Sequence, residues 1–136
     1  MTLRWHGPEV RARIERAVAQ SLVRTAEAVA TDAARRVLSP PKTGRIYVRR
    51  GVTHQASARG EAPASDTGRL VNSITIRFNR AELVSVVTAN TKYASYLEWG
   101  TRRMKARPFM RPAVAAKRSQ IELDMARTVL AALQVK

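Results

Sequence analysis

The sequence predicts an α+β fold: a small antiparallel β-sheet packed by a long N-terminal helix and a C-terminal helix, with a long basic loop or hairpin between helix and sheet. Three observations predict it. Val10, Ile14, Val18, Leu22, Val29, Ala33 and Val37 recur mostly four apart, the spacing of one face of a helix. Ile74, Ile76 and Phe78 alternate with polar residues ahead of a β-branched run from Leu83 to Thr88, which reads as two paired strands. Ile121, Met125, Val129, Ala132 and Leu133 form a second helical stripe. The two terminal helices are expected to cover one face of the sheet, and the 136 residues suffice for one domain with one modest core.

In chain order, the first helix is expected over 8–38. Pro8 suits its first turn, Glu9 sits beside the positive end of its dipole, and Ser39-Pro40-Pro41 stops it. Such a helix would be about 45 Å long at the usual rise per residue. Residues 39–65 read as a basic loop, with Lys42, Arg45, Arg49, Arg50 and Arg59 against the single acid Glu61. Within it, Ile46-Tyr47-Val48 and Gly51-Val52-Thr53-His54 can pair across Arg49-Arg50 as a short hairpin, expected to be mobile in isolation. Asp66 to Ser73 looks like a helical turn capped by Asp66 or Thr67. It feeds a hairpin over 73–89 that turns at Asn79-Arg80-Ala81-Glu82. Tyr93 to Trp99 reads as a short helix ended by Gly100 in a left-handed conformation, and the last helix is expected over 112–133.

The composition narrows the function classes. With 25 basic and 10 acidic residues the formal charge is +15, too large to be neutralised by internal pairing, so an external anion is expected. Nucleic acid, an acidic protein surface or a membrane face would each serve. An aromatic content of 5% argues against a single-strand binder built on base stacking. Cysteine is absent, which removes disulfides, thiolate metal sites and cysteine nucleophiles. Met1 to Arg16 lacks the apolar core of a signal peptide, and no stretch approaches a membrane span, so a cytoplasmic protein without membrane contact is expected.

Catalytic chemistry finds few residues to work with, and no cofactor or metal site is expected. His6 and His54, the only histidines, lie in no metal-ligand spacing. The ten acids are mostly isolated, and no phosphate-binding Gly-x-x-x-x-Gly-Lys-Ser loop occurs. Asp66 and Glu98 are the strongest acid candidates. Each has a structural reading: Asp66 accepting from the amides of the following turn, Glu98 pairing with Arg102 or another basic residue across the Gly100 turn. A small nuclease or toxin would require a catalytic group among Asp66, Glu98 and His54. The charge is better organised. Arg102, Arg103, Lys105, Arg107, Arg111, Lys117 and Arg118 occupy 102–118 with no acid among them, and Arg45, Arg49, Arg50 and Arg59 form a second cluster. Without a helix-turn-helix, zinc finger or ribonucleoprotein motif, contacts to nucleic acid would be to phosphate and salt-dependent. A sequence-nonspecific double-stranded nucleic-acid binder is therefore one reading. Phe109, between Pro108 and Met110, reads either as a partner anchor or as a core plug, and the core plug is the expectation.

Several words in a fixed order resemble a known family. They are Gly60-Glu61-Ala62-Pro63-Ala64, Asp66-Thr67-Gly68-Arg69-Leu70 with Ser73-Ile74, Tyr93-Ala94 with Tyr96-Leu97-Glu98-Trp99-Gly100-Thr101, and Arg107-Pro108-Phe109-Met110-Arg111-Pro112-Ala113. Together they resemble the HK97 gp10-like family of tailed-phage proteins over about residues 8 to 135, with Trp99 where the family more often has phenylalanine or tyrosine. The resemblance implies a non-catalytic virion protein of the neck or proximal tail, described as a head-tail connector, tail completion or tail terminator protein. It implies a ring, commonly of six copies, around the DNA channel, assembled in the host cytoplasm against neighbouring neck and tail proteins. It also implies a long loop that orders on contact with adjacent rings. Arg45, Arg49, Arg50, Arg59, Arg102, Arg103, Lys105 and Arg107 are then the candidates for contact with DNA or a ring neighbour. Gly60, Pro63, Asp66, Thr67, Gly68, Leu70, Tyr96, Glu98, Trp99, Gly100, Thr101, Pro108, Phe109 and Pro112 would be structural positions of the family motif.

Overall fold

The computed structural model describes residues 6–39 and 42–134. Its elements run α1 (Gly7–Leu38), β1 (Ile46–Arg49), β2 (Val52–Gln55), α2 (Arg69–Asn72), β3 (Ile74–Asn79), β4 (Val84–Ala89), α3 (Ala94–Trp99) and α4 (Met110–Leu133). The α+β expectation holds, with two separate two-stranded antiparallel sheets, β1–β2 and β3–β4.

Helix α1 begins one residue before Pro8, which occupies the first turn where its missing N–H costs nothing. His6 stands at the N-cap and its Nδ1 lies 3.0 Å from Glu9 Oε2. Ser39 leaves the helix in extended conformation; Pro40 and Pro41, read as the stop, lie outside the described residues. The expected stripe divides in two. Val29, Ala33 and Val37 are buried, whereas Val10, Ile14, Val18 and Leu22 are only half-buried, because β3–β4 and α4 cover the C-terminal half of α1 more fully. Asp32, also buried on α1, accepts hydrogen bonds from Arg35 and, at 2.7 Å, from Arg36 Nε. Burial works to raise its pKa, but the two guanidiniums prevail and hold it below the usual carboxylate range.

The β3–β4 ribbon pairs Ile74 with Ala89, Ile76 with Val87 and Phe78 with Ser85. These residues share one face by the two-residue period of a strand, and Ile74, Val87 and Ala89 pack on the core. At its turn, Asn79 Oδ1 accepts from the amides of Ala81 and Glu82 at 3.0 and 3.3 Å, an Asx turn. Helices α1 and α4 lie alongside each other over much of their length. Val29 and Ala33 of α1 join Ala113 of α4 in the core, while Ser21 shares a groove with Asp124, so the two helices run antiparallel. The core is completed by Leu70, Ala94 and Phe109. Phe109 is 1% exposed and the largest fully buried side chain, as its reading as a core plug required.

Helix α4 starts at Met110, two residues before the expected 112, and Pro112 falls in its first turn. Leu133, assigned to the apolar stripe, is exposed, while its neighbour Ala132 is buried. Phase explains this: one residue is a rotation of about 100° on a helix, so Ala132 and Leu133 cannot both face α1.

Candidate functional site

The described part of the basic segment, residues 42–65, folds as a tied-down hairpin. β1 and β2 pair in the register Ile46 with Gln55, Tyr47 with His54, Val48 with Thr53 and Arg49 with Val52. The turn is Arg50-Gly51, one residue later than expected. Both residues have positive φ, 54° and 77°, as the two-residue turn that matches strand twist requires. The Gly44 amide donates to Ala56 O and the Ala56 amide to Arg45 O, at 2.9 and 3.0 Å. Gly44 has no room for a side chain, since a Cβ there would lie 2.6 Å from Ala56 O.

Charged side chains tie this hairpin to the body. Lys42 Nζ donates to Arg36 O at the end of α1 and to Ala62 O, at 2.9 and 3.1 Å. Burial lowers its pKa, opposed by Glu61. Glu61, which the sequence showed only as a lone acid, is the hub of the base. It accepts from the Thr43 hydroxyl, the Ala58 amide at 2.8 Å and the Thr43 amide at 3.0 Å, and these hydrogen bonds hold its pKa down to about 2. Asp66 was expected to cap the following turn. Instead it pairs with Arg49, with His54 Nε2 at 3.4 Å, and α2 begins after Gly68 in a left-handed conformation with no side-chain cap. Tyr47 stacks on His54 with ring centroids 5.6 Å apart.

The second basic cluster belongs to the loop between α3 and α4, and Glu98 organises it. Of the basic partners expected for Glu98, Arg102 or another across the turn, the structure supplies Arg111. Glu98 is 7% exposed and accepts from the main-chain amides of Phe109, Met110 and Arg111 at 2.9, 3.1 and 2.8 Å, and from Arg111 Nε at 3.2 Å. A helix leaves its first four amides without partners. Here three meet one carboxylate, and the fourth position is Pro112, which has no N–H. Burial works to raise the Glu98 pKa, but the three amides and the guanidinium outweigh it and hold it below the ordinary carboxylate value.

The end of α3 is completed from the same loop. Gly100 N–H donates to Tyr96 O, Arg107 N–H to Leu97 O and Arg111 to Glu98 O, at 2.8, 2.7 and 2.9 Å. Gly100 has φ 77° and ψ −179°, a region essentially restricted to glycine and different from the left-handed helical cap expected. Thr101 closes the loop by a reciprocal main-chain pair with Met104, while its Oγ1 accepts from the Arg103 and Met104 amides.

The predicted contact residues now have positions. Arg45, Arg50, Arg59, Arg102, Arg103 and Lys105 are exposed. Arg49 is exposed but engaged by Asp66. Arg107 is half-buried, and its guanidinium donates to the buried Ser57 Oγ at 3.0 Å, joining the second basic cluster to the foot of the hairpin. Of the motif residues, Pro63, Leu70, Glu98 and Phe109 are buried, Gly60 forms an exposed turn, and Thr67 is exposed beside Gly68. Pro108 and Pro112 are half-buried. Tyr96 and Trp99 remain 57% and 67% exposed, and the Arg111 guanidinium lies 4.2 Å from the Trp99 ring centroid. Arg69, not singled out from the sequence, lines a cavity with Arg49 and Arg107; no local pattern signals it, because the three belong to separate segments.

Among the described residues no three acidic or histidine side chains gather as a metal site, and no helix is long and apolar enough to cross a membrane. No curated protein and no solved structure matches the chain. A family model described as bacteriophage HK97-gp10, a candidate tail component, matches residues 8–100. The match takes in the hairpin, the Asp66-Thr67-Gly68 turn and α3, and ends at Gly100, short of the Pro108-Phe109 corner included in the resemblance. Since these residues make up well over half of the chain, the protein belongs to the HK97-gp10-like family of phage tail components.

Proposed function

We propose that this protein is a non-catalytic structural component of the phage neck or proximal tail, a head-tail connector, tail completion or terminator protein that forms a ring around the DNA channel. Family membership carries the reading. The hairpin supports it: Ile46 and Val48 are 63% and 70% exposed on a ribbon flanked by Arg45 and Arg50, and such apolar and basic surface fits contact with a neighbouring ring. Six copies would bring together six times +15, about +90 of formal charge, which requires DNA in the lumen or acidic partner rings to offset it. In the assembled particle the protein is then a virion protein with neck and tail neighbours.

Electron microscopy of particles made without the protein tests the role. Filled heads beside separate, finished tails are expected; normally joined particles would overturn it. The hairpin's part is tested by replacing Arg45, Arg50 and Arg59 together with glutamine, sparing Arg49 because it pairs with Asp66. The fold should survive and joined particles should fall; an unchanged yield would remove the hairpin from the contact.

A further inference from the structure

A cavity of about 340 Å³ lies between the β1–β2 hairpin, the segment leading into α2, and α3. Arg49, Arg69 and Arg107 line it, with the hydroxyl residues Ser65 and Thr67 and the ring of Tyr93. Its one acid, Asp66, is already engaged by Arg49 and faces His54. Among the described residues Arg69 and Arg107 have no carboxylate within ion-pair distance, and Arg107 spends one donor on Ser57. Two arginines of the cavity lining are therefore without an ion-pair partner. An arginine fork is built to hold a carboxylate or phosphate by paired hydrogen bonds.

The neighbouring surface of α3 decides what brings that anion. Tyr93, Tyr96 and Trp99 fall three apart and are 40%, 57% and 67% exposed, so they form one aromatic stripe that starts in the cavity wall at Tyr93. Arg111 stacked on Trp99 holds that ring in place. Tyrosine, tryptophan and arginine side by side are the composition of protein-protein hot spots. A duplex presents phosphates on a broad convex backbone with no apolar surface beside them. It leaves the aromatic stripe without a partner.

We infer that this cavity and the α3 stripe form a docking site for an acidic segment of another protein, which places one carboxylate between Arg69 and Arg107 and lays adjacent apolar side chains on Tyr93, Tyr96 and Trp99. The inference deepens the proposed role and rests on it for where the partner is found, a neighbouring tail or neck protein. The site itself stands on its lining.

The test uses the full chain with arginine side-chain N–H and tryptophan indole signals followed by NMR, the Trp99 signal being assigned with Trp99→Phe. The probes are a blocked leucine–glutamate peptide, its glutamine counterpart, a short DNA duplex and inorganic phosphate. The glutamate peptide should move the Arg69, Arg107 and Trp99 signals together. Arg69→Gln or Arg107→Lys should weaken it about fivefold or more, and the double substitution Arg45→Gln with Arg50→Gln less than about twofold. Equal binding of the glutamine peptide overturns the proposal. So does movement of the same signals by duplex at lower concentration, or by phosphate with Trp99 unmoved. Peptide binding beside normally joined particles in the protein's absence would sink the neck role and leave the site standing; loss of peptide binding with unjoined particles would do the reverse.

Discussion

Replacing Glu98 by alanine takes the acceptor from three main-chain amides and the partner from Arg111. A hydrogen bond to a charged group contributes about 1.5–3 kcal/mol net. The full sum is not lost, because Met110 and Arg111 are only partly covered and can recover water. Losing a helix cap costs roughly 0.5–2 kcal/mol and breaking a buried ion pair roughly 3–5. With Arg111 half-exposed, about 3 kcal/mol is the working value. A chain of this length unfolds with an entropy of about 0.3 kcal/mol per degree, so Tm should fall by about 10 °C in thermal denaturation followed by circular dichroism. Glu98→Gln keeps the shape and loses the charge, and should fall by about half as much. The acidity adds a second signature. Because the folded-state pKa of Glu98 is held below its ordinary value, its contribution is complete above the unfolded carboxylate pKa of about 4.3 and is lost as pH falls through the lower folded value. The Tm gap between wild type and Glu98→Gln should be full at neutral pH and narrow as the pH falls below about 4. A fall of less than about 3 °C for Glu98→Ala, or a gap unchanged down to acid pH, would refute the cap.

Gly100→Ala should cost about 3 kcal/mol or more, since its Cβ would meet Ala106 N and Met104 O at 2.8 Å; Gly51→Ala, with nothing within 4 Å, should cost less in the same melts. Phe109→Ala should lose roughly 3–5 kcal/mol in urea unfolding and Phe109→Leu clearly less, because Phe109 is the largest fully enclosed side chain among the described residues; a loss under about 1 kcal/mol would contradict its place in the core. With Glu61 titrating at about 2, the amide signals of Thr43 and Ala58 should stay still from neutral pH to about pH 4 and move only below it; a midpoint near the ordinary glutamate value would show that the hub is not formed.

The sequence carried the elements and missed their joints. Periodicity and turn residues are local signals: α1, the β3–β4 hairpin and α4 are legible from the first, and the β1–β2 hairpin and α3 from the turns that bound them. The start of α4 is not local. It is set by Glu98, eleven residues before Phe109, and nothing around Pro112 announces that three amides upstream already have an acceptor. Asp66 was misread for the same reason: a carboxylate before Thr-Gly ordinarily caps the next turn, but the hairpin folds back and delivers Arg49 to it. The basic clusters were legible as charge, while the cavity was not, because Arg49, Arg69 and Arg107 come together only when three segments close around Ser57 and Pro63.

Glu98 belongs to α3 but terminates α4, so one carboxylate serves as the bolt between two elements. Helix α4 extends about 36 Å from that bolt at the usual rise per residue, ending near Leu130 and Leu133, which are 61% and 48% exposed. A tilt of about 5° at the Glu98 end displaces the far tip by about 3 Å over that length. Whatever seats itself on Tyr96 and Trp99 thus rests beside the Arg111 that Glu98 holds, at the opposite end of α4 from the exposed leucines.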